Sequence, residues 1–300
     1  MRPSKTELDI LAAQIRKTAL YSFRHLGFGH LGGSLSVSDA LAVLYGAVMN
    51  IDPKNPQKED RDYLVYSKGH SGPGLYAALA VKGYFPMKEL ETMNLPGTKI
   101  PSHCNRLLTP GVDMTTGSLG QGVSLAVGMA LGSKVQHRPN HVYLITGDGE
   151  CQEGQVWEAA MFAAQHKLDN LTMFVDFNKK QLDGYLDDIC SLGDLKAKFE
   201  AFGWNVYDID GHNTAAIYYS IMAGKQVKDK PTVIILNTIK AKDCTFAEHV
   251  FYNHHMTFTT EQVDEGIQFL DDKIQALEKQ LKEEKMQRRP YYEHHHRKGT

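Results

Sequence analysis

Apolar residues recur at helical spacing through ELDILAAQIRKTALYSFRH, residues 7–25, where Leu8, Leu11, Ile15, Ala19 and Phe23 share a face. A glycine-rich turn follows, and helical spacing returns near 37–48. DYLVY (62–66) is short and apolar and predicts a strand, and residues 72–83 predict a helix. GVSLAVGMALGSKV (122–135) predicts another helix, with small residues suited to close packing. The strands VYLIT (142–146) and LTMFV (171–175) flank the helix VWEAAMFAAQHK (156–167). Then come the helix LKAKFEAFG (195–203), the strand WNVYDI (204–209), a helix near 214–223 and the strand TVIILNT (232–238). Short, continuously apolar strands separated by helices predict an α/β fold, a mostly parallel sheet with helices on both faces. Such sheets bind ligands beyond the carboxyl ends of their strands, and Asp148, Asn178 and the loop after Asn237 fall at that edge.

Near residue 260 the pattern changes. Leu270, Ile274, Leu277 and Leu281 form one stripe among charges, which predicts an amphipathic C-terminal helix over 260–289, after a body spanning 1–259. The stripe spans under three heptads, so ordinary packing is expected rather than a coiled coil. Residues 290–300, with the histidine run 294–296, read as a polar tail.

Composition narrows the function classes. A hydrophobic fraction of 42% can build a sizeable core, and a net charge of −2 gives no reason to expect nucleic acid or an anionic membrane surface as partner. There is no run of 18 apolar residues for a membrane span, and the first ten residues hold no apolar core of signal-peptide length. Cys104, Cys151, Cys190 and Cys244 form no CxxC pair, so free thiols and a cytoplasmic setting are expected, not a disulfide frame or a zinc site.

The candidate chemistry centres on VYLITGDGECQEGQVWEAA, residues 142–160. Asp148 lies between Gly147 and Gly149 where a strand ends and a helix is about to start. The free N–H groups of a helix start favour an anion such as a phosphate. A carboxylate and a phosphate coexist there if a cation lies between them. Mg²⁺, with about six oxygen ligands at about 2.0–2.1 Å, is suited to share them between protein and phosphate. Asn178, thirty positions on at the end of the next apolar run, can add a neutral oxygen. GFGHLG, residues 27–32, matches GxGxxG, but it follows a helix and lacks a placed acidic ribose ligand, so a dinucleotide fold is not expected.

GDG, about thirty residues and then Asn after an apolar run resembles the signature shared by thiamine diphosphate enzymes. The chain resembles the N-terminal, diphosphate-binding part of transketolase over residues 5–258. GFGHLGGSLSVSDALAVLY resembles the family's first histidine segment and gives His30. SKGHSGPGLYAAL resembles its second and gives His70. PGVDMTTGSLGQGVSLAVGMA resembles its TTGPLGQG segment, with Ser118 where proline is common, and the histidine shortly before it falls on His103. TFAEHVFYNHH places the late histidine on His254.

The resemblance implies the cofactors and the roles. Asp148, Asn178 and the backbone carbonyl of Lys180 would hold Mg²⁺, or Ca²⁺ or Mn²⁺ in its place. His70, Gly147 and Gly149 would lie along the diphosphate. Gly117 and Leu119, with Ser118 in the same cofactor-binding segment, would face the aminopyrimidine. His30, His103 and His254 would line the channel to the thiazolium and move protons to and from sugar hydroxyls, and Glu153 would join a carboxylate network across a subunit interface. Two stretches depart from the pattern. Lys240-Ala241-Lys242-Asp243 stands where the family has Lys-Gly-Lys-Gly, and Cys104-Asn105 follow His103 in place of the common proline context.

In transketolase the glutamate that protonates the cofactor's pyrimidine comes from a middle domain, and this chain stops before one. The resemblance therefore implies the N-terminal subunit of a split transketolase. A second subunit would carry the pyrimidine-binding and C-terminal domains, and the two would form a heterotetramer. It would transfer a two-carbon ketol group from a ketose phosphate to an aldose phosphate, with phosphorylated pentoses as the family expectation. The alternatives are half of a deoxyxylulose-phosphate-synthase-like or oxoacid-dehydrogenase-like enzyme, or a non-catalytic thiamine diphosphate-binding module.

Overall fold

The computed structural model describes residues 3–295, with side chains described through residue 287. Ten helices and seven strands follow one another along it. They are α1 (Lys5–Phe23), β1 (Phe28–Gly29), α2 (Leu31–Ser36), α3 (Ser38–Val43), β2 (Tyr63–Tyr66), α4 (Gly72–Lys82), α5 (Gln121–Val135), β3 (Val142–Gly147), α6 (Gly154–Gln165), β4 (Leu171–Phe177), α7 (Leu186–Ile189), α8 (Leu195–Ala201), β5 (Asn205–Asp210), α9 (Thr214–Gly224), β6 (Thr232–Asn237), β7 (Met256–Thr257) and α10 (Thr260–His295). Every expected strand forms.

The five long strands pair in the order β2-β3-β4-β6-β5, all parallel. Both faces are covered, because successive side chains point to opposite sides and both sets are apolar. Leu64, Tyr66, Tyr143, Ile145, Phe174, Ile234 and Leu236 pack beneath α1, α3, α4 and α9. Val65, Val142, Leu144, Met173, Val175, Val233 and Ile235 pack against α5, α6 and α8. Parallel strands end together, so the loops after β2, β3, β4 and β6 converge on one edge.

α10 lies along α1. Val263, Leu270 and Ile274 enter the core, with Leu277 and Leu281 packed against it, so the leucine stripe is ordinary packing. Ion pairs Lys17–Asp271, Arg24–Asp264 and Lys285–Glu7 flank the seam. The helix runs six residues past the expected end at 289. That boundary rested on Pro290, whose ring and missing N–H disfavour a helix interior. The backbone continues through it, so 290–295 are helical, and the rest of the expected tail, 296–300, lies outside the described residues.

α2 is a correction to the expected glycine-rich turn. Three contacts hold it as helix against the sheet edge. Lys68 Nζ donates to the Gly33 carbonyl at 2.8 Å, Ser36 Oγ donates to Asp176 Oδ2 at 2.6 Å, and Ala241 N–H donates to the Gly32 carbonyl at 3.0 Å. The ribbon of β1 and β7 pairs Phe28 with Thr257 and Gly29 with Met256, bringing the segment before His30 beside the segment after His254.

Candidate active site

Asp148 caps the short turn Gly149–Gln152 at the end of β3 and is 2% exposed. Its Oδ1 accepts from Gly149 N–H at 2.8 Å and its Oδ2 from Lys179 N–H. Burial, and then the neighbouring Asp176, raise its pKa. Asn178 follows β4, its Oδ1 accepting from Lys180 N–H at 3.2 Å and its amide donating to Asp176. A cavity at this edge collects His70, Leu119, Gly147, Asp148, Gly149, Glu153, Asn178, Lys180 and His254, nine of the expected site residues. Gly117 and Ser118 lie beside it, Ser118 exposed to solvent.

Five histidines gather at this site. The His30 ring centroid lies 5.3 Å from His70, 5.9 Å from His103, 5.5 Å from His254 and 4.6 Å from His255. His70 and His254 are 4.8 Å apart. Burial, then His255 and His103, bring His30 down to about 4. Burial, then Lys240 and His30, bring His254 down to about 3. His70 and His103 are lowered too, each chiefly by burial. At neutral pH these four rings are uncharged, able to accept or donate a proton without leaving a stranded charge. His255 escaped the sequence reading, although it adjoins His254.

The glycines have separate reasons. A Cβ on Gly117, whose φ is +142°, would come within 2.7 Å of the His103 ring. A Cβ on Gly149 would come within 2.8 Å of Gln181 Cβ, so that glycine admits the loop after β4 as well as any ligand. At Gly147 nothing would lie closer than 3.9 Å.

Four buried charged residues frame the cavity, and the sequence reading gave none of them a role. Asp176 is fully buried near the end of β4. It accepts from Lys68 Nζ at 2.5 Å, Ser36 Oγ at 2.6 Å and Thr238 Oγ1 at 2.5 Å. Lys68 is 1% exposed, two residues before His70. Glu150 accepts from Ser67 Oγ, from Gly120 N–H at 2.9 Å and from Gly147 N–H at 3.2 Å, tying the β2, β3 and Gly117–Gly120 loops together. Lys240, 4% exposed, donates to the Lys180 carbonyl at 2.8 Å and to His254 Nδ1 at 3.0 Å. The sequence signal to be had was Asp176 itself, since an aspartate inside an apolar strand requires a buried partner. Glu153, by contrast, is exposed at the start of α6.

The residues fit a divalent cation with a diphosphate. Asp148 offers a buried carboxylate whose charge needs compensation, and Asn178 and the Lys180 carbonyl offer neutral oxygens. A hard ion such as Mg²⁺ accepts that donor set. Among the described residues no cluster of three His, Cys, Asp or Glu side chains offers another metal site.

The family described as transketolase, thiamine diphosphate binding domain, matches residues 9–270. This chain belongs to it. The chain is 53% identical over 261 residues to the 6-deoxy-6-sulfo-D-fructose transketolase subunit of Clostridium sp. (strain MSTE9), covering 87% of this chain and 95% of that one. It is 38% identical over 270 residues to an apulose-4-phosphate transketolase subunit of Actinobacillus succinogenes, covering 90% and 98%. A solved transketolase of Pichia stipitis superposes with a TM-score of 0.78 at 26% identity, covering 91% of this chain and 46% of that one. The transketolase of Campylobacter jejuni gives 0.78 at 28% identity, covering 92% and 48%. This transketolase-family chain therefore matches nearly the whole of proteins named as subunits and just under half of those two solved transketolases.

Proposed function

We propose that this chain is the diphosphate-binding subunit of a split, thiamine diphosphate- and Mg²⁺-dependent ketol transferase. Its partner is a second subunit that brings the pyrimidine-binding and C-terminal domains, and the pair assembles as a heterotetramer with its sites at subunit interfaces. The observation that carries this reading is one cavity in which Asp148, Asn178 and the Lys180 carbonyl meet His70 and His254, with His30 and His103 beside them. When bound, the cofactor's thiazolium supplies the electron sink for breaking and making the ketose carbon–carbon bond. The chain's own residues do the rest. Asp148, Asn178 and the Lys180 carbonyl hold the metal, and His70, Gly147 and Gly149 border the diphosphate. The Gly117–Leu119 backbone borders the pyrimidine. His30, His103 and His254 take protons from sugar hydroxyls and return them, and they hydrogen-bond developing oxyanions. Glu153, exposed beside the cavity, joins carboxylates across the interface.

The substrates we propose are ketoses ending in an anion. The two relatives above are named for a sulfofructose and for apulose 4-phosphate, alongside the phosphorylated pentoses expected of the family. The test measures ketol transfer to ribose 5-phosphate from xylulose 5-phosphate, apulose 4-phosphate and 6-deoxy-6-sulfofructose, with thiamine diphosphate and Mg²⁺. It is run on the chain alone and on its complex with the native partner. The complex should turn over at least one donor and the chain alone none. Enzyme-like turnover by the chain alone would refute the split enzyme.

A further inference from the structure

Lys240 is an unusual occupant for a cation-binding cavity. It is buried, lines the same cavity as Asp148 and Asn178, and reaches the loop after β4 from the loop after β6. One ammonium proton goes to the Lys180 carbonyl at 2.8 Å, the oxygen assigned above to the metal, and a second to His254 Nδ1 at 3.0 Å. Its third proton has no acceptor among the described residues. Lys68 is already held by Asp176 and the Gly33 carbonyl, at 2.5 and 2.8 Å. Asp148 receives only backbone N–H groups. Lys240 is thus the cavity cation with a hydrogen bond to spare, and it sits on a metal ligand.

We propose that Lys240 is the resident counter-ion of the clamp. In the metal-free chain its ammonium occupies the Lys180 carbonyl. When metal and diphosphate bind together, it yields that oxygen to the metal and turns to the diphosphate. The inference rests on reading the cavity as a metal–diphosphate site. The physical consequence is reciprocal. A metal ion alone must displace one cation and sit beside another, so Lys240 opposes it. A diphosphate alone faces Asp148 and Asp176, and Lys240 favours it. The two ligands therefore bind better together than either does separately.

Removing the charge should move the two affinities in opposite directions, which a merely structural lysine would not do. Mn²⁺ binding is read by electron paramagnetic resonance of the free ion, without anion. Pyrophosphate binding at saturating Mn²⁺ is read by calorimetry. Both use the full chain as wild type, Lys240→Gln and Lys240→Met, with folding checked by a cooperative melt. The expected result is tighter Mn²⁺ binding alone and pyrophosphate binding weaker by roughly tenfold, the worth of one charge-assisted hydrogen bond. If the wild type binds both ligands and the variants shift both affinities the same way, or neither, the inference fails while the clamp stands. If the wild type binds neither ligand, the clamp itself is wrong and the inference falls with it. Should neither variant fold, a crystal structure of the wild type with Mn²⁺ and pyrophosphate decides. Nζ on a phosphate oxygen supports the proposal, and Nζ still on the Lys180 carbonyl overturns it.

Discussion

Gly32→Ala tests whether the histidine channel depends on one close backbone approach. A Cβ built on Gly32 would lie 2.2 Å from the carbonyl oxygen of Asn253 and 2.9 Å from Lys240 Cγ. An ordinary carbon–oxygen contact begins at about 3.3 Å, so Asn253 must retreat by about 1 Å, and both partners are backbone. Alanine gains about 1 kcal/mol over glycine inside a helix, while forcing an extra methyl into a packed site costs about 1–3 kcal/mol. Gly32→Ala should therefore end about 1–2 kcal/mol less stable. Gly132 in α5 is the control, because a Cβ there meets nothing within 4 Å. Gly132→Ala should end up to about 1 kcal/mol more stable. In urea denaturation the two variants should bracket the wild type, separated by about 2–3 kcal/mol. Asn253 immediately precedes His254, and a misplacement of about 1 Å near reacting groups can lower turnover about a hundredfold. Gly32→Ala with its partner subunit should therefore lose ketol transfer well beyond its loss of folded protein. Equal stabilities for the two variants would refute the close approach. A destabilised but fully active Gly32→Ala would refute the link from that approach to His254.

Asp148→Asn should leave the apo chain as stable as wild type or more so, because it removes a buried charge beside Asp176. It should abolish the rise in melting temperature that Mg²⁺ and thiamine diphosphate give the wild type, about 2.7 kcal/mol at a hundred times Kd, and an unchanged ligand shift by calorimetry would exclude Asp148 from the clamp. Asp243→Asn keeps a side chain that tolerates φ near +63° but gives up the pairs with Lys273 at 2.7 Å and Arg16 at 3.5 Å. Asp39 still holds Arg16, so the expected loss is about 1–3 kcal/mol in urea, and less than about 0.5 would mean that the pairs are idle. His254 is held down to about 3 by burial, then by Lys240 and His30, so only the unfolded chain takes up its proton as pH falls below about 6.5. Its contribution is fully present above that pH and is lost progressively below it, by about 2 kcal/mol at pH 5. His254→Asn should flatten the stability profile between pH 7 and pH 5, and an unchanged slope would show that the ring titrates normally.

The strands and most helices were legible because each buried strand is an unbroken apolar run and each helix keeps its period. α2 was not, since LGGSLS has poor helix propensity and holds its shape through tertiary contacts to Lys68, Asp176 and Ala241. The β1–β7 ribbon was invisible because two-residue strands carry no period, and their partners lie far apart in sequence. The clamp and the histidines were legible only as segments with the right spacing and order. Lys68 and Lys240 were not, because a buried lysine reads like any surface lysine until its surroundings are known. The departures at Ala241 and Asp243 have a concrete outcome. Both residues adopt positive φ, +60° and +63°, so the loop keeps a left-handed path that glycine would take without strain. Asp243 is held there by Lys273 of α10 and by Glu248, which accepts its N–H at 2.6 Å.

Lys240 also fixes what His254 can do. An ammonium can only donate, so Nδ1 of His254 must accept, and the neutral ring therefore carries its proton on Nε2. His212 shows the opposite arrangement under the same logic. Its Nε2 accepts from Ile239 N–H at 2.8 Å and its Nδ1 donates to Asp39 at 2.8 Å, which makes it a strut in the Arg16–Asp39 network. In His254 the donor is left for the cavity. A neutral Nε2–H held by a buried ammonium is a stronger hydrogen-bond donor than an isolated imidazole, yet it adds no second full charge beside Lys240 and Lys68. That combination suits a sugar oxygen that becomes negative only during the reaction. A permanently charged imidazolium would bind the ground-state anion just as readily, and binding the ground state and the transition state alike gives no acceleration.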